Sequence, residues 1–192
     1  MDGFCQLIRE VVNRNGLPDA EVLTGGAATM LPGYLRPAKK WDVVIYNGYR
    51  LIGAVEFKSM RRAFGKNINN RAEEALGSAI DLRYVFEHGM LKDQPKPFIG
   101  YIMLTAITEE STRLQRDKNI RLGVDNEFQD ASYERRYATM CNRLVKSGIY
   151  SAAALLRCNR RLGHEGHYLS VTRDTSIQTF IEVLGAHIAK ER

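Results

Sequence analysis

Two apolar runs, V-V-I-Y at residues 43–46 and L-I-G-A-V-E-F at residues 51–57, flank the pair Asn47-Gly48. An Asn-Gly pair between such runs is a strong short-range signal for a β-hairpin. Upstream, Phe4, Leu7, Ile8, Val11 and Val12 recur at helical spacing and predict a helix over residues 2–13, closed by Asn15-Gly16. Downstream, Ala72, Ala75, Leu76, Ala79, Leu82 and Phe86 form a narrow, small-residue face, which predicts a helix over 71–87 with Asn69 or Asn70 as its cap. The near-continuous apolar stretch at 97–107 reads as a buried central strand. Residues 132–146 read as a helix with Tyr133, Tyr137, Met140, Cys141, Leu144 and Val145 inward and Gly148 ending it. A further strand is predicted over 151–158, and an amphipathic helix over 175–190 through Ile177, Phe180, Ile181, Leu184 and Ile188. Residues 21–40 and 109–129, rich in glycine, proline and charge, read mainly as loops.

Charge interrupts the hairpin at three places: Asp42 at the start of its first strand, Glu56 and Lys58 at the end of its second. Unpaired charge in a low-dielectric setting is costly, so charge in core-like strands needs a reason. Strand side chains alternate, so Val55 and Phe57 enter the core while Glu56 and Lys58 project together from the other face. Two carboxylates and an amine at one sheet edge suit a divalent metal and a phosphate. The register decides whether they meet. A strict two-residue turn at Asn47-Gly48 pairs Tyr46 with Tyr49 and Asp42 with Gly53, which puts Glu56 on the opposite face from Asp42. A one-residue shift is therefore expected between Asp42 and Glu56, with Gly53, isolated inside the second strand, as its place.

At 192 residues the chain suits one domain with a proper core. A hydrophobic content of 44% and a charged content of 26% are ordinary for a globular protein, and no apolar run approaches bilayer length. No signal-peptide pattern is present. Cys5, Cys141 and Cys158 give neither a disulfide framework nor a zinc spacing, so a reducing, cytoplasmic setting is expected, with no membrane partner. A net charge of +6 leans toward a polyanionic partner. Arg36, Lys39 and Lys40 precede the acidic strand, where they suit either phosphate contact or a soluble loop. Arg113, Arg116, Lys118 and Arg121 sit in the second long loop, which reads equally as a DNA-embracing arm or a flexible excursion. Glu10 reads as a solvated helix charge, and His164-Glu165-Gly166-His167 as a turn outside any zinc pattern.

Taken alone, D-(x13)-E-x-K, residues 42–58, is a weak match to the PD-(D/E)xK nuclease signature. The surrounding text is more specific: M-D-G-F at 1–4, L-P-G-Y-L-R-P at 31–37, K-x-W-D at 39–42, E-F-K-S at 56–59, F-G-K-N-I-N-N-R-A-E-E-A-L-G-S-A at 64–79 and F-Q-D-A-S-Y-x-x-R-Y at 128–137. Together these resemble the XhoI family of type II restriction endonucleases over nearly the whole chain, to about Ala189. Asp42 follows Trp41 where the superfamily signature has proline. Family members continue upstream of M-D-G-F, so a single nuclease domain lacking an N-terminal segment is expected.

The resemblance implies an α/β fold, the restriction-endonuclease-like core: a central mixed β-sheet flanked by helices. It implies Mg²⁺ held by Asp42, Glu56 and the Phe57 carbonyl, with Asp42, Glu56 and Lys58 as the catalytic set. Lys58 is expected to orient or help deprotonate the attacking water; apart from the resemblance, Glu73 and Glu74 read as charges favouring the positive helix N-terminus, with Glu74 a candidate for ordering the metal site. Arg36, Lys39, Lys66, Asn67, Asn69, Asn70 and Arg71 become the expected DNA contacts. Family members cut the palindrome CTCGAG to leave 5′ extensions. The partners this implies are double-stranded DNA, a second copy in a homodimer, and a cognate DNA methyltransferase acting without a stable complex. Two other readings stay open: a PD-(D/E)xK nuclease of repair or structure-selective role, and a catalytically inactive DNA-binding module.

Overall fold

The computed structural model describes residues 2–91, 94–116, 120–159, 161, 163 and 165–191; Lys118 and His164 lie outside the described residues. Helix α1 (Asp2–Arg14) leads to strand β1 (Glu21–Thr24), a 3-10 turn (Ala27–Thr29) and a small hairpin of β2 (Met30–Pro32) and β3 (Ala38–Lys40). The long hairpin follows as β4 (Val43–Asn47) and β5 (Arg50–Met60). Helix α2 (Phe64–Glu87) crosses to β6 (Phe98–Ala106), and α3 (Glu109–Thr112) with α4 (Tyr133–Lys146) cross to β7 (Ala152–Cys158). Strand β8 (Leu169–Ser170) and helix α5 (Ile177–Lys190) complete the described elements.

Six strands form one sheet in the order β1-β4-β5-β6-β7-β8. The pairs β5/β6 and β6/β7 are parallel, and the other three are antiparallel. Parallel neighbours need a long crossover, which α2 and α4 supply. Both faces of the centre are therefore covered. Phe64, Ala75, Ala79 and Leu82 of α2 and Tyr137, Cys141 and Leu144 of α4 pack on one face, against Val44, Ala54, Tyr101 and Leu155. Phe4, Ile8 and Val12 of α1 with Phe180, Leu184 and Ile188 of α5 pack on the other, against Val55, Phe57, Ile102 and Leu156. The result is the expected α/β fold, a mixed sheet between helices.

Three segments differ from their sequence reading. Residues 21–40 are more ordered than a loop: β1 pairs along β4 from Glu21–Tyr46 to Thr24–Val43, and β2 pairs with β3. Short edge strands such as these carry too few residues to show a period. Helix α2 begins at Phe64, well before Arg71, so Asn69 and Asn70 stand inside it and neither caps it. Its first turn is closed from a distance, because the Glu110 carboxylate accepts the Phe64 N–H at 2.9 Å. Gly65, which argues against helix locally, is required there because a Cβ would lie 2.2 Å from the Tyr133 hydroxyl oxygen. At the start of 109–129, Thr108, just ahead of it, and Ser111 form a capping box that starts the short α3.

Candidate active site

The hairpin places the predicted acids. Its loop is Gly48-Tyr49, one residue later than the Asn-Gly frame, since Asn47 pairs with Arg50 and Tyr46 with Leu51. Gly48 adopts φ +57°, the positive value needed at the first position of a type II′ turn. The register then slips: Ile45 pairs with Gly53, so Ile52 has no partner on β4. From there Val44 faces Ala54 and Val43 faces Val55. Asp42, in the bend just before β4, thus comes level with Glu56 along β5. The expected irregularity is present, beside Gly53.

Strand β4 ends at Val43, so the β5 edge beyond Val55 has lost its neighbour. The exposed Asp42 takes its place, accepting the Phe57 N–H on Oδ2 at 2.7 Å. A strand residue directs its N–H and C=O to the same edge, so the Phe57 carbonyl emerges beside Asp42. Glu56 is buried, at 5% exposure, with both carboxylate oxygens engaged. Lys39 donates to Oε2 at 2.6 Å and Lys58 to Oε1. Lys58 also lies 3.8 Å from Glu74, which pairs with Arg71. Lys39 stands 4.6 Å from the Trp41 ring and donates to the Lys40 carbonyl at 3.1 Å.

Beneath Glu56 the neighbours are neutral phenols. Burial pushes Tyr101 well above the ordinary tyrosine value, helped by Cys141, Tyr150 and Glu56 and opposed by Arg71. Burial, then the Glu56 charge, does the same to Tyr150, whose hydroxyl donates to the Ala75 carbonyl at 3.0 Å. Burial favours the neutral form of both phenols. An open cleft of about 750 Å³ lies between the ends of β5 and β6, lined by Ser59, Arg61, Arg62, Thr105 and Ile107 among others.

Other predicted residues fall as follows. Lys66, Asn69 and Asn70 are exposed on the opening turns of α2, and the Asn67 amide donates to the Ala63 carbonyl at 2.8 Å. Arg36 bonds Asp81 at 2.8 Å and the Gly77 carbonyl at 2.8 Å, away from the acids. Glu10 pairs with Arg14 at 3.5 Å along α1, a helix of the opposite face. Among the described residues no three His, Cys, Asp or Glu side chains gather tightly enough to hold a metal by themselves. The candidate donor set is two carboxylates and one main-chain carbonyl, all hard oxygen ligands, which suits a hard divalent cation. The grip of Lys39 on Glu56 went unseen in the sequence, although K-x-W-D carries a trace of it: alternation puts Lys39 and Trp41 on one side.

The architecture defines a restriction-endonuclease-like α/β core. The chain belongs to the restriction endonuclease XhoI family, whose profile matches residues 1–170. It is 46% identical over 151 residues to the type II restriction enzyme XhoI of Xanthomonas vasicola, covering 78% of this chain and 61% of that protein. It is 35% identical over 197 residues to the type II restriction enzyme BstVI of Geobacillus stearothermophilus, covering 100% of this chain and 88% of that one. Against the type II restriction enzyme AbrI of Azospirillum brasilense, identity is 43% over 118 residues, 61% of this chain and 53% of the relative. The chain thus spans 61% of the first of these relatives and 53% of the last. No solved structure matches.

Proposed function

We propose that the protein is a type II restriction endonuclease, hydrolysing phosphodiester bonds of double-stranded DNA at a palindromic site in a Mg²⁺-dependent reaction. The observation that carries this reading is that the hairpin, bulged at Ile52, brings Asp42 against the strand that carries Glu56 and Lys58, its Oδ2 accepting the Phe57 N–H. By family resemblance the site is CTCGAG, cut to leave 5′ overhangs, and a cognate methyltransferase protects it in the host. A two-fold palindrome calls for a homodimer with one centre per strand.

Asp42, Glu56 and the Phe57 carbonyl would hold the metal, which when bound supplies Lewis-acid stabilisation of charge developing on the phosphate. Lys58, held on Glu56, orients the attacking water and donates to a phosphate oxygen. Lys66, Asn69 and Asn70, exposed on the helix that leaves the catalytic strand, contact the DNA, as do Asn67 and Arg71 nearby. Arg36 and Lys39 contact phosphates with the donors they retain.

Plasmid digestion tests this. Unmethylated plasmid with Mg²⁺ should yield discrete linear fragments ending at one sequence, without nicked circles accumulating, and methylated plasmid should stay intact. Asp42→Ala, Glu56→Ala and Lys58→Ala should each lower the rate by about a hundredfold or more while remaining folded. Smeared or junction-only products would place the enzyme in another nuclease role. Wild type cutting no better than the three variants would leave a DNA-binding module.

A further inference from the structure

Glu56 is neutralised twice over. Its carboxylate is buried, Lys58 holds Oε1 from the same strand, and Lys39 holds Oε2 at 2.6 Å from β3. A buried carboxylate without a cation is strongly destabilising, so at least one ammonium has a structural reason to be there. The two lysines are placed differently. Lys58 has its second acid, Glu74, at 3.8 Å. Among the described residues Lys39 pairs with no second acid; its other contacts are the Lys40 carbonyl at 3.1 Å and the Trp41 ring at 4.6 Å. Those two contacts form a seat that does not depend on Glu56, since a carbonyl and an aromatic face both stabilise an ammonium.

We infer that Lys39 is an exchangeable counter-ion. It neutralises Glu56 until a divalent cation does so, and is then held on the Lys40 carbonyl and the Trp41 ring. This rests on the reading that Asp42, Glu56 and the Phe57 carbonyl hold the metal. A divalent ion and an ammonium on one carboxylate oxygen repel strongly at such short range, so the ion displaces the ammonium that has another seat. The exchange keeps the acid neutralised in both states. It also leaves that ammonium beside the cutting centre with donors to spare for a phosphate oxygen.

The test is calorimetric titration of the full-length, DNA-free protein with Ca²⁺ as the probe cation. Lys39→Met removes the competitor while keeping the length of the side chain. Its Ca²⁺ affinity should rise about tenfold or more, the equivalent of one charge-assisted hydrogen bond no longer broken on binding. Its metal-free melting temperature should fall below wild type, and Ca²⁺ should raise it by a larger increment. Glu56→Gln should abolish binding in either background. If Glu56→Gln abolishes binding but Lys39→Met binds no tighter than wild type, the exchange is wrong and the metal site stands. If Glu56→Gln binds Ca²⁺ as wild type does, the metal site is wrong, and the exchange with it. A second measurement needs no variant: acetylation of Lys39 in the wild-type protein, read by mass spectrometry, should rise several-fold on adding Ca²⁺, and an unchanged level would overturn the proposal.

Discussion

Asp81, on α2, is buried at 2% exposure and organises a loop far from it in sequence. It accepts the Tyr34 N–H at 3.0 Å, the Leu35 N–H at 2.7 Å and Arg36 Nε at 2.8 Å. Gly33 lies so close that a Cβ would stand 2.5 Å from the same carboxylate. This knot anchors the connection from β2 to β3, and β3 delivers Lys39 to Glu56. Replacing Asp81 by Ala removes the shared acceptor of two N–H groups and of Arg36, all on exposed residues, so it should lower stability by about 2 kcal/mol in urea unfolding. A loss below about 1 kcal/mol would mean the loop is held by other contacts. Arg36 shows what sequence reading can and cannot reach at this scale. Its charge beside the acidic strand was visible, and phosphate contact was a fair expectation. Nothing local pairs it with an acid 45 positions away. Asp42 and Glu56 were legible for the opposite reason: charge inside apolar strands is conspicuous without knowledge of any distant partner.

The bulge is the element on which the site turns, and it is braced from outside the hairpin. Ile52 is skipped by β4, and its carbonyl is met by His187 Nε2 of α5 at 3.1 Å. Gln94 accepts the Leu51 N–H at 2.9 Å and donates to the Tyr49 carbonyl at 3.2 Å. Gly53 admits no side chain cheaply, since a Cβ would lie 3.2 Å from Phe98. Burial holds His187 below its ordinary value of 6.5, with the Ile52 carbonyl and Glu191 acting against that shift and Lys190 with it. A histidine whose folded value is depressed favours the folded state above its unfolded value, and that contribution is lost as pH falls through the folded value. Wild-type melting temperature should therefore drop between about pH 7 and about pH 5 more steeply than that of His187→Gln, which retains a donor for Ile52 and cannot titrate in this range. Parallel slopes would remove His187 from the pH response. The need for a bulge could be worked out from side-chain parity alone. Its supports could not, because Gln94 and His187 reach it from 43 and 135 positions away. The start of α2 was missed for a similar reason, its first turn being closed by Glu110 instead of a local cap.

For the whole molecule, the order of strands and helices was largely readable, because the buried centre is built from strong periods: the apolar run of β6, the hairpin, and the amphipathic α1, α4 and α5. The edges were not, since β1, β2, β3 and β8 span two to four residues each. The family text supplied what spacing could not, a reason to expect DNA and magnesium at the end of β5. Two helical layers cover the sheet faces, and a cleft lined by Arg61 and Arg62 opens where β5, the strand of Glu56 and Lys58, ends. A net charge of +6 is consistent with a polyanion approaching there. The central claim is that one bulged hairpin gathers an oxygen donor set for a divalent cation. It is tested most directly by locating the ion in a crystal of the protein with Mn²⁺ and a DNA duplex, from anomalous scattering. The account predicts a peak within about 2.0–2.6 Å of Asp42 and Glu56 carboxylate oxygens and the Phe57 carbonyl. A peak elsewhere on the protein, with the two carboxylates apart and unliganded, would contradict it.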